Sequence, residues 1–179
     1  MTDRRVVLLR GINLGPRNRV AMPELREALS EAGYAGVRTY VQSGNVVLDS
    51  AEAPTELEAR CERLIDERFG LSIPVVVRSR DELAAVVKSN PLRRVASEPK
   101  RYQVSFLAEA LEPDQVKQLE ALATGGERLV ARGRELYAWH PNGVARSKLW
   151  AALAGTGLRT KATARNWNTV ETLLAMASE

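Results

Sequence analysis

The sequence predicts an α+β protein whose two halves repeat one order of strands and helices. Three observations lead to this fold class. Residues 37–41 alternate between two faces, which is typical of a strand, whereas Leu57, Cys61 and Leu64 recur at helical spacing. The order of strands and helices before residue 80 recurs after residue 100. A composition of 45% hydrophobic and 27% charged residues is that of a folded globular chain.

The first half, residues 1–80, begins with an apolar strand and a loop that contains two glycines. Pro23 suits the first position of the helix that follows, and Gly33 ends this helix. Ser43 and Gly44 supply the tight turn of a hairpin. The strands predicted for this half are residues 5–9, 37–41, 45–48 and 75–78.

The second helix of this half carries a capping-box pattern, with Thr55 at its start and Glu58 three residues later. We interpret the acidic and basic residues along it as a solvated face with internal ion pairs. These residues are Glu56, Glu58, Arg60, Glu62, Arg63, Asp66, Glu67 and Arg68. The resulting order, strand, helix, strand, strand, helix, strand, is typical of ferredoxin-like domains.

A helical connector, residues 81–99, separates the two halves. Ser79 and Glu82 form the capping pattern of its helix, which stops at Asn90 and Pro91. The sequence therefore predicts three segments: two ferredoxin-like halves and the connector between them.

The second half, residues 100–179, repeats the order of the first half and adds a C-terminal helix. Pro113 opens its first helix, Ser147 caps the second, and Asn166 or Asn168 caps the last. The strands predicted for this half are residues 101–107, 127–132, 135–140 and 158–162, with a two-residue hairpin turn at 133–134.

Composition excludes several classes of protein. No apolar stretch approaches the roughly 20 residues that span a bilayer, and residues 6–9 are too short a run for the core of a signal peptide. Cys61 is the one cysteine and His140 the one histidine, so neither an internal disulfide nor a His/Cys metal cluster is indicated. We therefore expect a cytoplasmic protein with no membrane contact, no metal and no cofactor.

The formal net charge of +4 lies in the second half of the chain. Residues 1–90 hold 13 basic and 13 acidic residues, whereas residues 91–179 hold 13 and 9. Within residues 128–165, eight basic residues accompany one acid, Glu135, and residues 4–19 hold five arginines and no acid. Arginine outnumbers lysine 21 to 5, and its planar fork suits phosphate and carboxylate groups. A bias toward arginine codons explains this ratio equally well.

Three segments contain residues that packing alone does not require. They are LLRGINLG at residues 8–15, QSGNV at residues 42–46 and RNWNT at residues 165–169. Together with the run of Asn18, Val20, Met22 and Leu25, they resemble the hallmark segments of the bacterial family catalogued as domain of unknown function 1697. The resemblance covers nearly the whole chain and implies two ferredoxin-like halves. It implies little about function.

One position departs from the pattern of that family. Its members commonly carry a second glycine where this chain has Pro16 after Gly15. Proline has no backbone N–H and fixes its own φ, so an anion-binding nest that needed this amide is lost here.

The candidate ligand-binding residues come from these segments and are mainly arginines and amides. They are Arg10, Asn13, Asn18, Gln42, Ser43, Asn45, Arg165, Asn166, Trp167 and Asn168. None of them titrates near neutrality, so general acid–base catalysis is not indicated. Arginine and amide groups suit phosphates, carboxylates and the edges of nucleobases. The alternative interpretation is structural: the asparagines turn the chain and cap helices, and Arg10 and Arg165 form ion pairs.

Aromatic residues and the single histidine allow two further hypotheses. Tyr102 and Phe106 share one strand face, and Tyr137 and Trp139 share another, as do the base-stacking aromatics of RNA-recognition motifs. The chain lacks the consensus run of those motifs, so we favour core packing, with Phe106 on the helix-covered side of the sheet. His140 is interpreted as a turn-flanking residue rather than the base of a Ser-His-acid triad.

The leading functional hypothesis is a non-catalytic binding module for an anionic partner, either single-stranded nucleic acid or a nucleotide. Its surface would combine the first loop with Arg165, Trp167 and the basic stretch from Arg128 onward. One alternative is a small-molecule enzyme or sensor with a cleft between the halves. Another is a protein-interaction scaffold or homodimer that uses the same segments.

Overall fold

The structure, a computed structural model, describes residues 1–179 and contains eight strands and six α-helices. In chain order these are β1 (Asp3–Leu9), α1 (Met22–Glu31), β2 (Ala35–Tyr40), β3 (Asn45–Ser50), α2 (Pro54–Phe69), β4 (Val75–Ser79), α3 (Arg80–Ser89), a short 3₁₀ helix (Pro99–Arg101), β5 (Tyr102–Leu107), α4 (Pro113–Glu120), β6 (Arg128–Arg132), β7 (Glu135–Trp139), α5 (Lys148–Ala154), β8 (Ala162–Asn166) and α6 (Trp167–Ala177). The strands form two four-stranded antiparallel sheets, which confirms the α+β class.

The chain divides into two compact units, residues 1–84 together with 172–179, and residues 85–171. One boundary falls within α3 and the other within α6. The N-terminus of α3 has the predicted capping box, because the Glu82 N–H donates to Ser79 Oγ at 3.1 Å and the Ser79 N–H donates to Glu82 Oε2 at 2.8 Å. No helix in the structure combines the length and the apolar character needed to cross a membrane.

In the first unit, the strand order is β2-β3-β1-β4, so β1 is central. Val7 on β1 lies opposite Val46 on β3 and Val77 on β4. These valines join Leu25 of α1 and Leu57 of α2 in one buried apolar cluster. Burial of such side chains stabilises the fold by roughly 1.5–3 kcal/mol each, so this cluster holds the two helices against the sheet.

In the second unit, the strand order is β6-β7-β5-β8, and Leu107 and Leu136 of the sheet pack in one apolar cluster with Leu119 of α4 and Leu149 of α5. Because successive residues of a strand point to opposite faces, Val104 and Phe106 lie on the other face of the sheet. Helices cover that face too, since the Tyr137 hydroxyl, opposite Val104 in the sheet, donates to the Val86 carbonyl oxygen of α3 at 3.4 Å, and Tyr102 stacks on Trp167 of α6. The prediction of core packing is confirmed, since Val104 and Phe106 are both 0% exposed.

The last strand lies four residues later than predicted, at residues 162–166 rather than 158–162. Arg159 has a φ of 59°, which an extended strand does not allow. Leu158 nevertheless packs in the second apolar cluster from a turn, which explains its strand-like hydrophobicity. The shift places Arg165 and Asn166 within the sheet.

The capping box predicted at Thr55 and Glu58 is also wrong. Helix α2 begins at Pro54, its preceding residue Ala53 makes no side-chain cap, and the proline needs no cap because it has no N–H. Glu58 is instead buried, with 8% of its surface exposed.

Three carboxylates cover one edge of β4. Because β4 ends the strand order, one row of its N–H groups has no neighbouring strand. The N–H groups of Val75, Val77 and Ser79 donate to the carboxylates of Glu62, Glu58 and Glu82 at 2.9, 2.9 and 2.8 Å. The prediction that Glu58 and Glu62 lie on a solvated helix face is therefore wrong. Both carboxylates join α2 to the edge of the sheet.

We expect the substitution Glu58→Ala to lower the free energy of unfolding by about 1.5–3 kcal/mol, because it leaves the buried Val77 N–H without its charged acceptor. Urea unfolding followed by circular dichroism measures this change. Glu56→Ala is the matched control, since Glu56 lies on the same helix and is exposed. Equal effects of the two substitutions would show that the edge contact contributes nothing.

Candidate functional site

The side chain of Asn13 joins the first loop, residues 10–21, to the hairpin turn, residues 41–44. Its Nδ2 donates to the carbonyl oxygens of Val20 at 2.8 Å and Gln42 at 2.7 Å, and its Oδ1 accepts from the Val20 N–H at 2.9 Å. Asn13 itself has a φ of 56°, a conformation that asparagine tolerates better than most residues. One amide therefore fixes the shape of both segments.

Gly44 lets the hairpin turn approach the end of β1. Its φ is 80°, and a Cβ at this position would lie 2.6 Å from Leu9 Cβ. The Leu9 N–H donates to the Gly44 carbonyl oxygen at 2.9 Å, which keeps the two backbones together. Asn45 is 0% exposed, and its Nδ2 donates to the Tyr40 carbonyl oxygen at 3.1 Å and to Ser43 Oγ at 3.0 Å. Asn45 thus closes the hairpin and is not available to a ligand.

The outward side chains of the two segments are basic, amide or apolar. We call these residues the basic loop surface: Arg10, Leu14, Arg17, Asn18, Arg19, Val41 and Gln42. Leu14 is 84% exposed and Val41 is 52% exposed, while Arg10 is half-buried. Val41 has a φ of 50°, which is rare for a β-branched residue, and Asn18 donates to the Gly11 carbonyl oxygen at 3.3 Å. The structure therefore presents Arg17, Asn18, Arg19 and Gln42 to solvent on a defined backbone.

The RNWNT segment has a different role at the junction of β8 and α6. Arg165 is 7% exposed, and its Nη1 donates to Thr163 Oγ1 at 2.6 Å and to the Ala164 carbonyl oxygen at 2.8 Å. Burial lowers the pKa of Arg165 to about 10. Asn166 caps α6, since its Oδ1 accepts from the Thr169 N–H at 3.0 Å.

Trp167, the first residue of α6, is buried and stacks on Tyr102 with ring centroids 4.7 Å apart. Of the four candidates in this segment, Asn168 alone is exposed. Burial therefore makes Arg165 and Trp167 parts of the folded framework rather than of a contact surface.

The other candidate aromatic residues are buried too. Tyr102, Tyr137 and Trp139 are 2%, 1% and 7% exposed. A base cannot stack on a ring that the protein already covers, so the face used by RNA-recognition motifs is closed in this chain. The apolar side chains that remain open to solvent near the sequence motifs are Leu14 and Val41.

Sequence reasoning missed a polar cluster formed by Glu127, His140 and Ser147. His140 Nδ1 lies 2.7 Å from Glu127 Oε1, and Ser147 Oγ donates to the same carboxylate oxygen. Ser147 also accepts the Trp150 N–H at 2.9 Å, which is the cap that the sequence predicted for α5. Ser147 Oγ also lies 3.4 Å from His140 Nδ1, but its hydroxyl donates to the Glu127 carboxylate, so the histidine does not accept the serine proton as it would in a nucleophilic triad.

The cluster therefore holds turns together and does not form a nucleophilic triad. Burial raises the pKa of Glu127, but hydrogen bonds from Ser147, His140 and the Thr124 N–H outweigh it and lower the pKa overall. A cavity of about 460 Å³ lies beside the cluster and includes Arg146 in its wall. The sequence signal was weak, because Glu127 and His140 are 13 residues apart and share no motif with Ser147.

The chain offers no assembled metal site or reactive thiol. Nowhere do three or more histidine, cysteine, aspartate or glutamate side chains come together as metal ligands. Cys61 is buried, and that burial, with the negative charge of Glu52, raises the pKa of its thiol to about 12.

Comparison with known proteins identifies the family. Residues 1–137 match the family described as protein of unknown function (DUF1697). The chain belongs to this family. The DUF1697 chain is also similar to a solved structure, that of a conserved bacterial protein from Streptococcus pneumoniae, with 25% sequence identity, a TM-score of 0.75 and 99% of each chain covered. No curated protein matches the chain.

In this DUF1697 chain, we expect Gly44→Ala to lower the free energy of unfolding by about 2–4 kcal/mol, because the new Cβ adds backbone strain to a clash with Leu9. Gly133→Ala is the control. Gly133 also has a positive φ, 56°, but no atom lies within 4 Å of its added Cβ, so only about 1 kcal/mol is expected. Thermal unfolding of both variants tests the difference, and equal losses would contradict the close approach.

The lowered pKa of Glu127 predicts a pH-dependent stability. A carboxylate whose pKa falls on folding stabilises the native state above its unfolded pKa, and this contribution is lost as the pH falls through the folded pKa. The difference in unfolding free energy between the wild type and Glu127→Gln should therefore be larger at pH 7 than at pH 3. Urea unfolding at both pH values measures it. The exposed Glu109→Gln variant is the control, and an unchanged difference for Glu127→Gln would refute the assignment.

Proposed function

We propose that this chain is a non-catalytic module that binds single-stranded nucleic acid through the basic loop surface. One observation carries the proposal. The Asn13 side chain holds the first loop and the hairpin turn in one arrangement, on which Arg17, Asn18, Arg19 and Gln42 are exposed. No acidic residue occurs between Asp3 and Glu24, so the local charge is positive.

The chemistry of the basic loop surface suits a nucleic acid strand. Guanidinium groups bind phosphate oxygens, often through two parallel hydrogen bonds. The amides of Asn18 and Gln42 can donate to and accept from base edges, which single strands leave open. Leu14 and Val41 supply apolar contacts for base faces. Fixed backbone geometry lowers the entropy lost on binding, which favours affinity.

The residues that could perform acid–base or nucleophilic chemistry lie elsewhere. The basic loop surface contains no carboxylate, histidine or cysteine. His140 and Cys61 are buried, and the Ser147 hydroxyl donates a hydrogen bond to the Glu127 carboxylate. These facts favour binding over catalysis at this surface.

We also propose that each unit is a ferredoxin-like fold and that the two arose by duplication. Each has the order strand, helix, strand, strand, helix, strand, and the two sheets have matching strand orders. The last strand of each carries an arginine in its fourth position, Arg78 and Arg165, followed by a helix cap, Ser79 and Asn166. Each cap accepts the N–H three residues later, so the agreement extends beyond topology.

Fluorescence anisotropy with a labelled single-stranded RNA of about 20 nucleotides tests the binding function. We expect the double variant Arg17→Ala/Arg19→Ala to bind about ten-fold or more weakly than the wild type at low salt. The slope of log affinity against log salt should fall by about 1.4, because each phosphate contact with a single strand contributes about 0.7.

Arg146→Ala/Lys148→Ala is the matched control, since it removes two exposed positive charges at the same spacing from the other unit. Equal loss in both double variants would show that net charge alone carries the binding. Salt-independent or undetectable binding would contradict the proposal. In that case, self-association that Leu14→Ser abolishes would favour the scaffold or homodimer alternative, and a copurifying metabolite would favour the small-molecule alternative.

A further inference from the structure

Three arginines surround a small concavity in the second unit, and none of its lining residues belongs to a sequence motif. Its volume is about 300 Å³, and its wall is formed by the turn that follows α3 and by the first residue of β6. The lining residues are Ser89, Asn90, Pro91, Leu92, Arg93, Arg94, Val95 and Arg128. No acidic residue is among them.

The charges of these arginines are not balanced within the protein. Arg93, Arg94 and Arg128 are exposed and form no ion pair, whereas the nearby Arg101 pairs with Glu98 at 3.3 Å. Like charges gathered around one concavity repel each other, and a bound anion would relieve this repulsion. The C-terminal end of α3 attracts cations and accounts in part for Arg93 and Arg94. It does not account for Arg128, which comes from a strand 34 residues after Arg94 in the sequence.

The turn that carries the first two arginines is held by its own backbone. The Arg93 N–H donates to the Asn90 carbonyl oxygen at 3.2 Å, and the N–H groups of Val95 and Ala96 donate to the Leu92 carbonyl oxygen at 3.0 and 2.9 Å. Leu92 is buried beneath this turn. The arginines therefore extend from a fixed backbone, and a ligand need not order the loop before it binds.

One wall of the concavity is apolar. Val95 is 44% exposed, one of the few large hydrophobic side chains open to solvent in this chain. An inorganic anion alone would leave this side chain in water, whereas an organic group attached to the anion would cover it.

We propose that this concavity binds the phosphate group of a small organic phosphate, with the guanidinium groups of Arg94 and Arg128 on the phosphate oxygens and the organic group against Val95. Arginine forks match the geometry of phosphate oxygens. A volume of about 300 Å³ is at the lower limit of small-molecule sites, which suits a single phosphate and one attached group. This site does not use the basic loop surface and goes beyond the proposed nucleic acid binding.

Titration followed by ¹H–¹⁵N NMR tests the proposal, with inorganic phosphate, adenosine 5′-monophosphate and adenosine as probes. We expect saturable shifts at residues 89–95 and 128 with both phosphate-containing probes, tighter binding of the monophosphate and no saturable shifts there with adenosine. The variant Arg94→Ala/Arg128→Ala should bind the monophosphate about ten-fold or more weakly. Arg94→Lys/Arg128→Lys should bind with intermediate affinity, since lysine keeps the charge and loses the fork.

Arg132→Ala/Arg146→Ala is the control, because it removes two exposed positive charges from the same unit. Equal weakening in this control, or shifts that map elsewhere, would overturn the site. Equal affinity for inorganic phosphate and the monophosphate would overturn the placement of the organic group against Val95. Arg17→Ala/Arg19→Ala should leave monophosphate binding unchanged, so failure of this site and failure of the nucleic acid surface are separate outcomes.

Discussion

Backbone polar groups at the ends and edges of the sheets must find partners, and in this chain side chains supply them. The Asn13 side chain donates hydrogen bonds to the carbonyl oxygens of Val20 and Gln42. The Glu58 carboxylate accepts a hydrogen bond from the Val77 N–H at the edge of the first sheet. Asn166 performs the same task at the start of α6. Each of these contacts joins two elements that are distant in sequence or differ in type. These side-chain contacts fix the shape of the first loop, the position of α2 against the sheet and the junction of β8 with α6.

This requirement decides which residues of the family motifs remain for a ligand. Asn13, Asn45 and Asn166 already use their side chains on the backbone, and Gly44 allows a close approach that no other residue fits. Several motif residues that looked like ligand groups therefore hold the backbone in place, and the exposed positions between them are the ones that a ligand could reach. A loop fixed by one internal amide can present arginine and amide side chains without losing order on binding.

The sequence predicted the order of elements and most helix caps, because periodicity and capping patterns are local. It placed the last strand four residues too early. Leu158 is hydrophobic because it packs in the second apolar cluster from a turn, and nothing in the sequence indicates the positive φ of Arg159. It assigned Glu58 to solvent because helical spacing says nothing of a strand edge nearby. The cluster of Glu127, His140 and Ser147 was missed for the same reason: tertiary contacts alone bring it together.

Charge counting along the sequence also misjudges where an anion can bind. The stretch from Arg128 to Arg165 has the sharpest excess of basic residues, yet Arg165 is buried, so its guanidinium group is closed to a partner. Arg93 and Arg94 lie outside that stretch and are exposed beside Arg128. The field that a ligand meets depends on exposure and on ion pairing within the protein rather than on net charge. Arginines of one sequence segment can therefore be buried or exposed, and the sequence alone does not distinguish the two.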